Sequence, residues 1–222
     1  MYLHEQEKDL IYIADTYGVY SDDLKEQVEG ERSEKIYGGM DIVEWNEIMK
    51  SKGPQTTLIA EYNSFATPTE DTTRKVMEKS LSVEWSGWAG RYFTDLTSEE
   101  VPNWMRTNYE SQYKKEWAFT EGGLVFVDIS DKIIVIEDAH LLEQVPFKLT
   151  EAGARQFDKV KETNYHYWFD IVKPTNGAQV LAQYELAMSD EAKRQLQAAN
   201  IPLTFPAITH NAEQRTYYFS GD

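Results

Sequence analysis

Short apolar runs and longer amphipathic stretches alternate along most of this chain. Residues 9–14 (DLIYIA) form a compact, mostly apolar run of the kind a buried strand uses. The loop Asp15-Thr16-Tyr17-Gly18-Val19-Tyr20 leaves it, and the acidic stretch 21–34 reads as an exposed connection or a short helix. In 41–50, Ile42, Trp45, Ile48 and Met49 recur at helical spacing, and Gly53-Pro54 stops that helix. Residues 56–61 predict the second strand. Thr67 then sits at an N-cap, Pro68 at the first helical position and Glu70 three after the cap, a capping box with the favoured N1 proline. This predicts a helix to about Leu81, with Thr73, Val76, Met77 and Leu81 inward.

The pattern after 81 is more mixed. Residues 86–95, crowded with Trp88, Gly87, Gly90, Arg91 and Tyr92, read as a polar-aromatic loop. A helix is expected over 102–115, with Met105, Tyr109 and Gln112-Tyr113 along one side. Residues 124–128 and 132–137 are β-rich runs split by Ile129-Ser130-Asp131, a hairpin signature. Another helix is expected over 150–161, then strands over 165–172 (YHYWFDIV) and 179–186. Ser189 caps an acidic-started helix that Asn200 and Pro202 end, and 216–219 close as a strand. The expectation is a single α/β layered domain over 1–222, with a mainly parallel central sheet flanked by helices plus an antiparallel hairpin.

Composition narrows the functional classes. A hydrophobic content of 41% with 27% charged residues suits a globular protein long enough to bury a core. The balance of 22 basic against 38 acidic residues gives a net charge of -16, which repels phosphate backbones and anionic membranes, so nucleic acid is a poor partner. There are no cysteines, which removes disulfides, thiolate metal sites and a cysteine nucleophile. No apolar run approaches the roughly 18–20 residues of a membrane-spanning helix, so direct membrane insertion by this segment is not expected. The ends read as cut: a strand follows Met1 almost at once, and 216–222 stop where a strand should feed a loop. That predicts a domain excised from a longer protein whose flanks include a membrane anchor.

In open α/β sheets, ligands gather outside the carboxyl ends of the strands. That rule selects Asp15, Thr16 and Tyr17 after the first strand and Glu61, Tyr62 and Asn63 after the second. The 86–95 loop adds Trp88, Arg91 and Tyr92. The predicted binding set is therefore Asp15, Tyr17, Glu61, Asn63, Trp88, Arg91 and Tyr92. Carboxylates beside aromatic faces suit sugars, and two carboxylates can also serve as general acid and base. Each residue has a structural reading too: Asp15 and Glu61 as capping or ion-pairing groups, Arg91 as their salt-bridge partner, Trp85 and Trp88 as core. The glycines at 87 and 90 match no dinucleotide or phosphate-loop pattern. His4, His140, His166 and His210 are scattered without metal-ligand spacing, so no metal or other cofactor is expected. No Gly-x-Ser-x-Gly elbow is present. Asp170, amid Tyr165, Tyr167, Trp168 and Phe169, stands out because a buried carboxylate needs a partner.

The order DLIYIADTYGVY, then TLIAEYNSFATPTEDTTRKVME, then AQVLAQYEL, IPLTFPAI and RTYYFSGD resembles the class I glutamine-amidotransferase-like fold. The likeness is to its non-catalytic relatives in bacterial envelope-associated proteins. Amidotransferases of this fold use a cysteine nucleophile with a histidine and a glutamate, and this chain has no cysteine. The resemblance therefore implies a ligand-binding or scaffold role, extracytoplasmic and membrane-tethered in the full-length protein, with a glycan or a protein as partner. The alternative is a carbohydrate-active hydrolase using Asp15 and Glu61, which requires their carboxyls to face one cleft roughly 5–10 Å apart.

Overall fold

The computed structural model describes residues 8–21, 33–66 and 68–222. In chain order its elements are β1 (Leu10–Ile13), β2 (Gly18–Tyr20), β3 (Lys35–Gly38), α1 (Ile42–Lys50), β4 (Thr57–Glu61), α2 (Asp71–Leu81) and β5 (Val83–Phe93). There follow α3 (Asn103–Tyr113), β6 (Gly123–Asp128), β7 (Ile133–Glu137), β8 (Pro146–Leu149), α4 (Glu151–Gln156) and β9 (Thr163–Asn164). The chain ends with β10 (Phe169–Pro174), β11 (Gln179–Glu185), α5 (Asp190–Ala198), β12 (Thr204–Asn211) and β13 (Thr216–Phe219).

The strands form a seven-stranded sheet in the order β1-β4-β13-β12-β11-β8-β9, a four-stranded sheet β10-β5-β6-β7, and the ribbon β2-β3. This corrects the expected mainly parallel central sheet. Only β1·β4 and β4·β13 are parallel; β13·β12, β12·β11, β11·β8 and β8·β9 are antiparallel, as is all of the second sheet. The cause lies in the connections. The four residues between β12 and β13 are too few for a crossover, which needs a dozen or more, so that pair must be antiparallel. The strands β5, β6, β7 and β10 take no place in the first sheet and pair among themselves.

The two sheets pack face to face, and period-two alternation assigns their side chains. Trp88 and Tyr92 of β5, Leu124 and Phe126 of β6, and Ile134 and Ile136 of β7 join Phe169, Leu181, Tyr184 and Phe205 in the largest core cluster. The intervening Phe93, Val125 and Ile133 point the other way, where Leu96 and Met105 of the α3 region cover them. A third cluster gathers Trp45 of α1 and Met77 and Leu81 of α2 over Ile13, Leu58, Ala60 and Tyr218.

Several local expectations change with the tertiary contacts. Residues 86–95 are not a loop: they lie largely within the eleven-residue strand β5, whose Trp, Tyr and Phe content suits a pleated surface. Gly90 is required there because a Cβ would meet the Phe169 ring at 2.7 Å. β1 is an edge strand with Leu10 and Tyr12 exposed, not a buried one. The helix expected from Thr67 begins at Asp71, with Glu70 as its N-cap; Thr67 itself lies outside the described residues. Pro68 does not enter the helix: its carbonyl accepts the Lys35 ammonium at 2.7 Å, and the Thr69 hydroxyl takes the Met40 N–H at 3.1 Å. Val76 is exposed, whereas Thr73, Met77 and Leu81 are buried. Helix α4 stops at Gln156, and Phe157 turns onto the largest core cluster. Most of the acidic stretch 21–34, and His4, lie outside the described residues.

Candidate functional site

β1, β4 and β13 run parallel, so their carboxyl ends meet at one edge of the sheet: 14–17, 61–64 and 220–222. The register places Ile13 beside Ala60, Ala60 beside Tyr218 and Glu61 beside Phe219. A tight turn follows β4, in which Glu61 O accepts from the Ser64 hydroxyl at 2.7 Å. Asn63 adopts φ 67°, a left-handed conformation that asparagine tolerates better than most residues. Buried hydroxyls tie the turn to its neighbours. Thr16 Oγ1 donates to Asn63 O at 3.0 Å and lies 3.0 Å from Thr69 Oγ1, and Thr69 Oγ1 donates to Ser64 O at 3.1 Å.

Four of the predicted residues gather at this edge. Asn63 Nδ2 donates to Asp15 Oδ1 at 2.7 Å. Beside it the Tyr12 hydroxyl donates to Glu61 Oε2. That bond, with burial and the Glu61 charge, pushes the Tyr12 hydroxyl up to about 12. Tyr17 stands exposed at the same end. Tyr62 lies parallel to Trp168, with ring centroids 6.3 Å apart and planes 8° apart. Burial pushes the Tyr62 hydroxyl far above its ordinary value, reinforced by Asp170, Asp222 and Asp15. Tyr165 donates to Asp222 O at 2.6 Å, closing the edge on the β13 side.

The other three predicted residues are employed elsewhere. Trp88 is buried in the core between the sheets, and its carbonyl accepts the Trp85 indole N–H at 3.0 Å. Tyr92 is buried as well; its hydroxyl donates to Asp138 Oδ2 at 3.0 Å and its ring meets His166 edge-on at 5.7 Å. Arg91 projects from the opposite face of β5. Its guanidinium pairs with Glu100 at 2.5 Å and lies 4.7 Å from the Phe93 ring centroid, rather than pairing with Asp15 or Glu61. The two Trp/Tyr positions thus belong to packing, and the salt bridge has a different acidic partner.

Behind the edge lies Asp170, which the C-terminal-edge rule did not select. It is 1% exposed. Tyr218 donates to its Oδ2 at 2.5 Å, whereas Oδ1 has no partner at hydrogen-bond geometry among the described residues. Burial pushes this carboxyl up to about 7, against the opposing pull of the Tyr218 hydroxyl, the Asn63 N–H and the Trp85 indole. Its backbone N–H bonds Ser220 O at 2.7 Å, so β10 joins the second sheet to the end of β13. The sequence signal for it was a carboxylate inside the bulky run YHYWFDIV.

A groove of about 850 Å³ opens beside the edge, between β1, the β2-β3 ribbon and α1. Asp15, Thr16 and Tyr17 line it together with the apolar Leu10, Ile11, Met40, Val43 and Ile48. Among the described residues no three His, Asp or Glu side chains are grouped to hold a metal ion, and no helix is long and apolar enough to cross a membrane. Compared with protein-family models, curated proteins and solved structures, the chain matches none.

Proposed function

We propose that this chain is a non-catalytic ligand-binding or interaction domain, with a glycan as the ligand class and the carboxyl edge of β1, β4 and β13 as its binding edge. One observation carries the reading. Asp15 and Glu61 are held at one edge by the Asn63 amide and the Tyr12 hydroxyl, next to the exposed rings of Tyr12 and Tyr17. Oriented carboxylates and an amide suit sugar hydroxyls, and the tyrosine faces suit the apolar side of a sugar ring. The setting in a bacterial cell-envelope protein, extracytoplasmic and membrane-tethered, rests on the amidotransferase-like resemblance together with the missing cysteine.

The test is a glycan array with envelope oligosaccharides, followed by thermal shift on the full chain. Binding that raises the melting temperature and is lost in Asp15→Ala and Glu61→Ala is the expected result. No response to any glycan, with no partner in pull-downs, overturns the reading. The second reading, a hydrolase with Asp15 and Glu61 as its carboxylate pair, is favoured by the same shared edge. It predicts release of reducing ends from a bound glycan, whereas the binding reading predicts none.

A further inference from the structure

We propose that the open edge of β1, with the groove beside it, takes an extended peptide of alternating apolar and basic residues, added to the sheet as a further strand. This deepens the reading of the chain as an interaction domain and rests on it. Sheet edges are templates for strand addition, and proteins usually shorten, charge or cover them. The other ends of the two larger sheets are managed in that way. β9 has two residues. The outer edge of β7 is capped by α3: Gln112 Oε1 accepts the Ile133 N–H at 2.9 Å, and Gln112 Nε2 and the Tyr113 hydroxyl donate to Ile133 O at 3.1 and 3.0 Å. β10 is joined to 220–222 through the Asp170 N–H to Ser220 O bond and the Phe169–Gly221 bridge.

The Lys8 N–H bonds Ser51 O just before β1 begins, but among the described residues no such device covers β1 itself, Leu10 to Ile13. Its sequence, LIYI, carries no charge and no proline. Thr57 donates its N–H to Asp9 O, so the alternation of a parallel ladder turns the N–H and C=O of Leu10 and Tyr12 away from β4. The surface around that edge is apolar yet exposed: Leu10 is 55%, Tyr17 61%, Tyr37 60% and Val43 65% accessible. A strand laid along the edge would place alternate side chains into the 850 Å³ groove.

Charge selects the occupant. Among the described residues, the groove's lining carries Asp15, Glu44 and Glu47 against one cation, Lys8. A second copy would bring those carboxylates together in a chain of net charge -16, and the chain's own segment 22–32 has five acidic and two basic residues. A partner strand with lysine or arginine between its apolar residues meets both demands.

The experiment uses fluorescence anisotropy with the full chain and two labelled ten-residue probes, one alternating valine with lysine and one alternating valine with glutamate. The valine-lysine peptide is expected to bind at least tenfold more tightly. Val43→Lys, on an exposed helix position whose folding is checked by circular dichroism, should weaken it at least tenfold. Hydrogen exchange at the Leu10 and Tyr12 amides should slow when the peptide is bound. Equal binding of both peptides, no binding of either, or unchanged exchange at Leu10 and Tyr12 overturns the proposal, as does a dimer that Val43→Lys disperses. Failure here with glycan binding intact at Asp15 and Glu61 removes this inference alone; failure of both removes the interaction-domain reading.

Discussion

Replacing Asp170 by Asn should flatten part of the pH dependence of folding. In the folded protein burial holds this carboxyl near pH 7, whereas an unfolded chain releases the proton near the ordinary 3.8. The folded state therefore binds the proton over a range in which the unfolded state does not. The stabilisation is fully present below about pH 4 and is lost as pH rises through about 7. Between pH 5 and pH 8 about two pH units of that range are traversed. At about 1.4 kcal/mol per unit, the wild type should lose about 3 kcal/mol through this group. Asp170→Asn has no proton to lose, so urea unfolding at pH 5, 6, 7 and 8 should show the variant gaining on the wild type by that amount. The Asn side chain can still meet the Tyr218 hydroxyl, which limits any constant offset between the two proteins. Profiles that run parallel across this range would refute the account of Asp170 as a buried carboxyl that keeps its proton.

Other perturbations test separate links. Thr69→Val removes the hydroxyl that accepts the Met40 N–H and joins Ser64 O and Thr16 Oγ1. Thr16 keeps its bonds to Asn63 O and Ser64 O, so the cost, about 1–3 kcal/mol in denaturant unfolding, comes from the buried Met40 N–H left without its acceptor. Gly90→Ala drives a methyl group into Phe169 and Phe126 and should cost about 1–3 kcal/mol, read from the melting midpoint. Glu61→Ala removes the hydrogen-bond acceptor and the charge that raise the Tyr12 hydroxyl, whose pKa should fall from about 12 towards 10 when followed by NMR titration of that ring. Glu100→Ala releases Arg91 from a partly exposed ion pair; it should change stability by less than about 1 kcal/mol and leave binding at the β1-β4-β13 edge unaltered.

Legibility in the sequence followed the range of the interactions involved. Helix α1 was readable from the helical spacing of Ile42, Trp45, Ile48 and Met49. Its start is also local, with Asp41 accepting from Val43 and Glu44 N–H and the Glu44 side chain returning to Asp41 N–H, a capping box the spacing did not need. α5 was readable from its local ends, Ser189 and the left-handed Asn200. The start of α2 was not, because Pro68 and Thr69 bond to Lys35 and Met40, some thirty residues distant, instead of entering the helix. β5 looked like a polar-aromatic loop because glycines are interleaved with its aromatic residues; Gly90 is instead a packing requirement set by Phe169, on a strand 79 residues later. The carboxyl-end rule selected Asp15, Tyr17, Glu61 and Asn63, which share one edge because β1, β4 and β13 are the parallel part of the sheet. It misplaced Trp88, Arg91 and Tyr92 because β5 belongs to the antiparallel sheet, where strand ends do not collect at one edge.

The central claim is that ligands meet this protein at the carboxyl edge of β1, β4 and β13. Amide chemical-shift mapping on the isotope-labelled chain, titrated with the best envelope oligosaccharide from the array, tests it most directly. The account predicts saturable changes concentrated at 14–17, 61–64 and 220–222. Changes confined to β5 and its neighbours in the second sheet, with that edge silent, would contradict it.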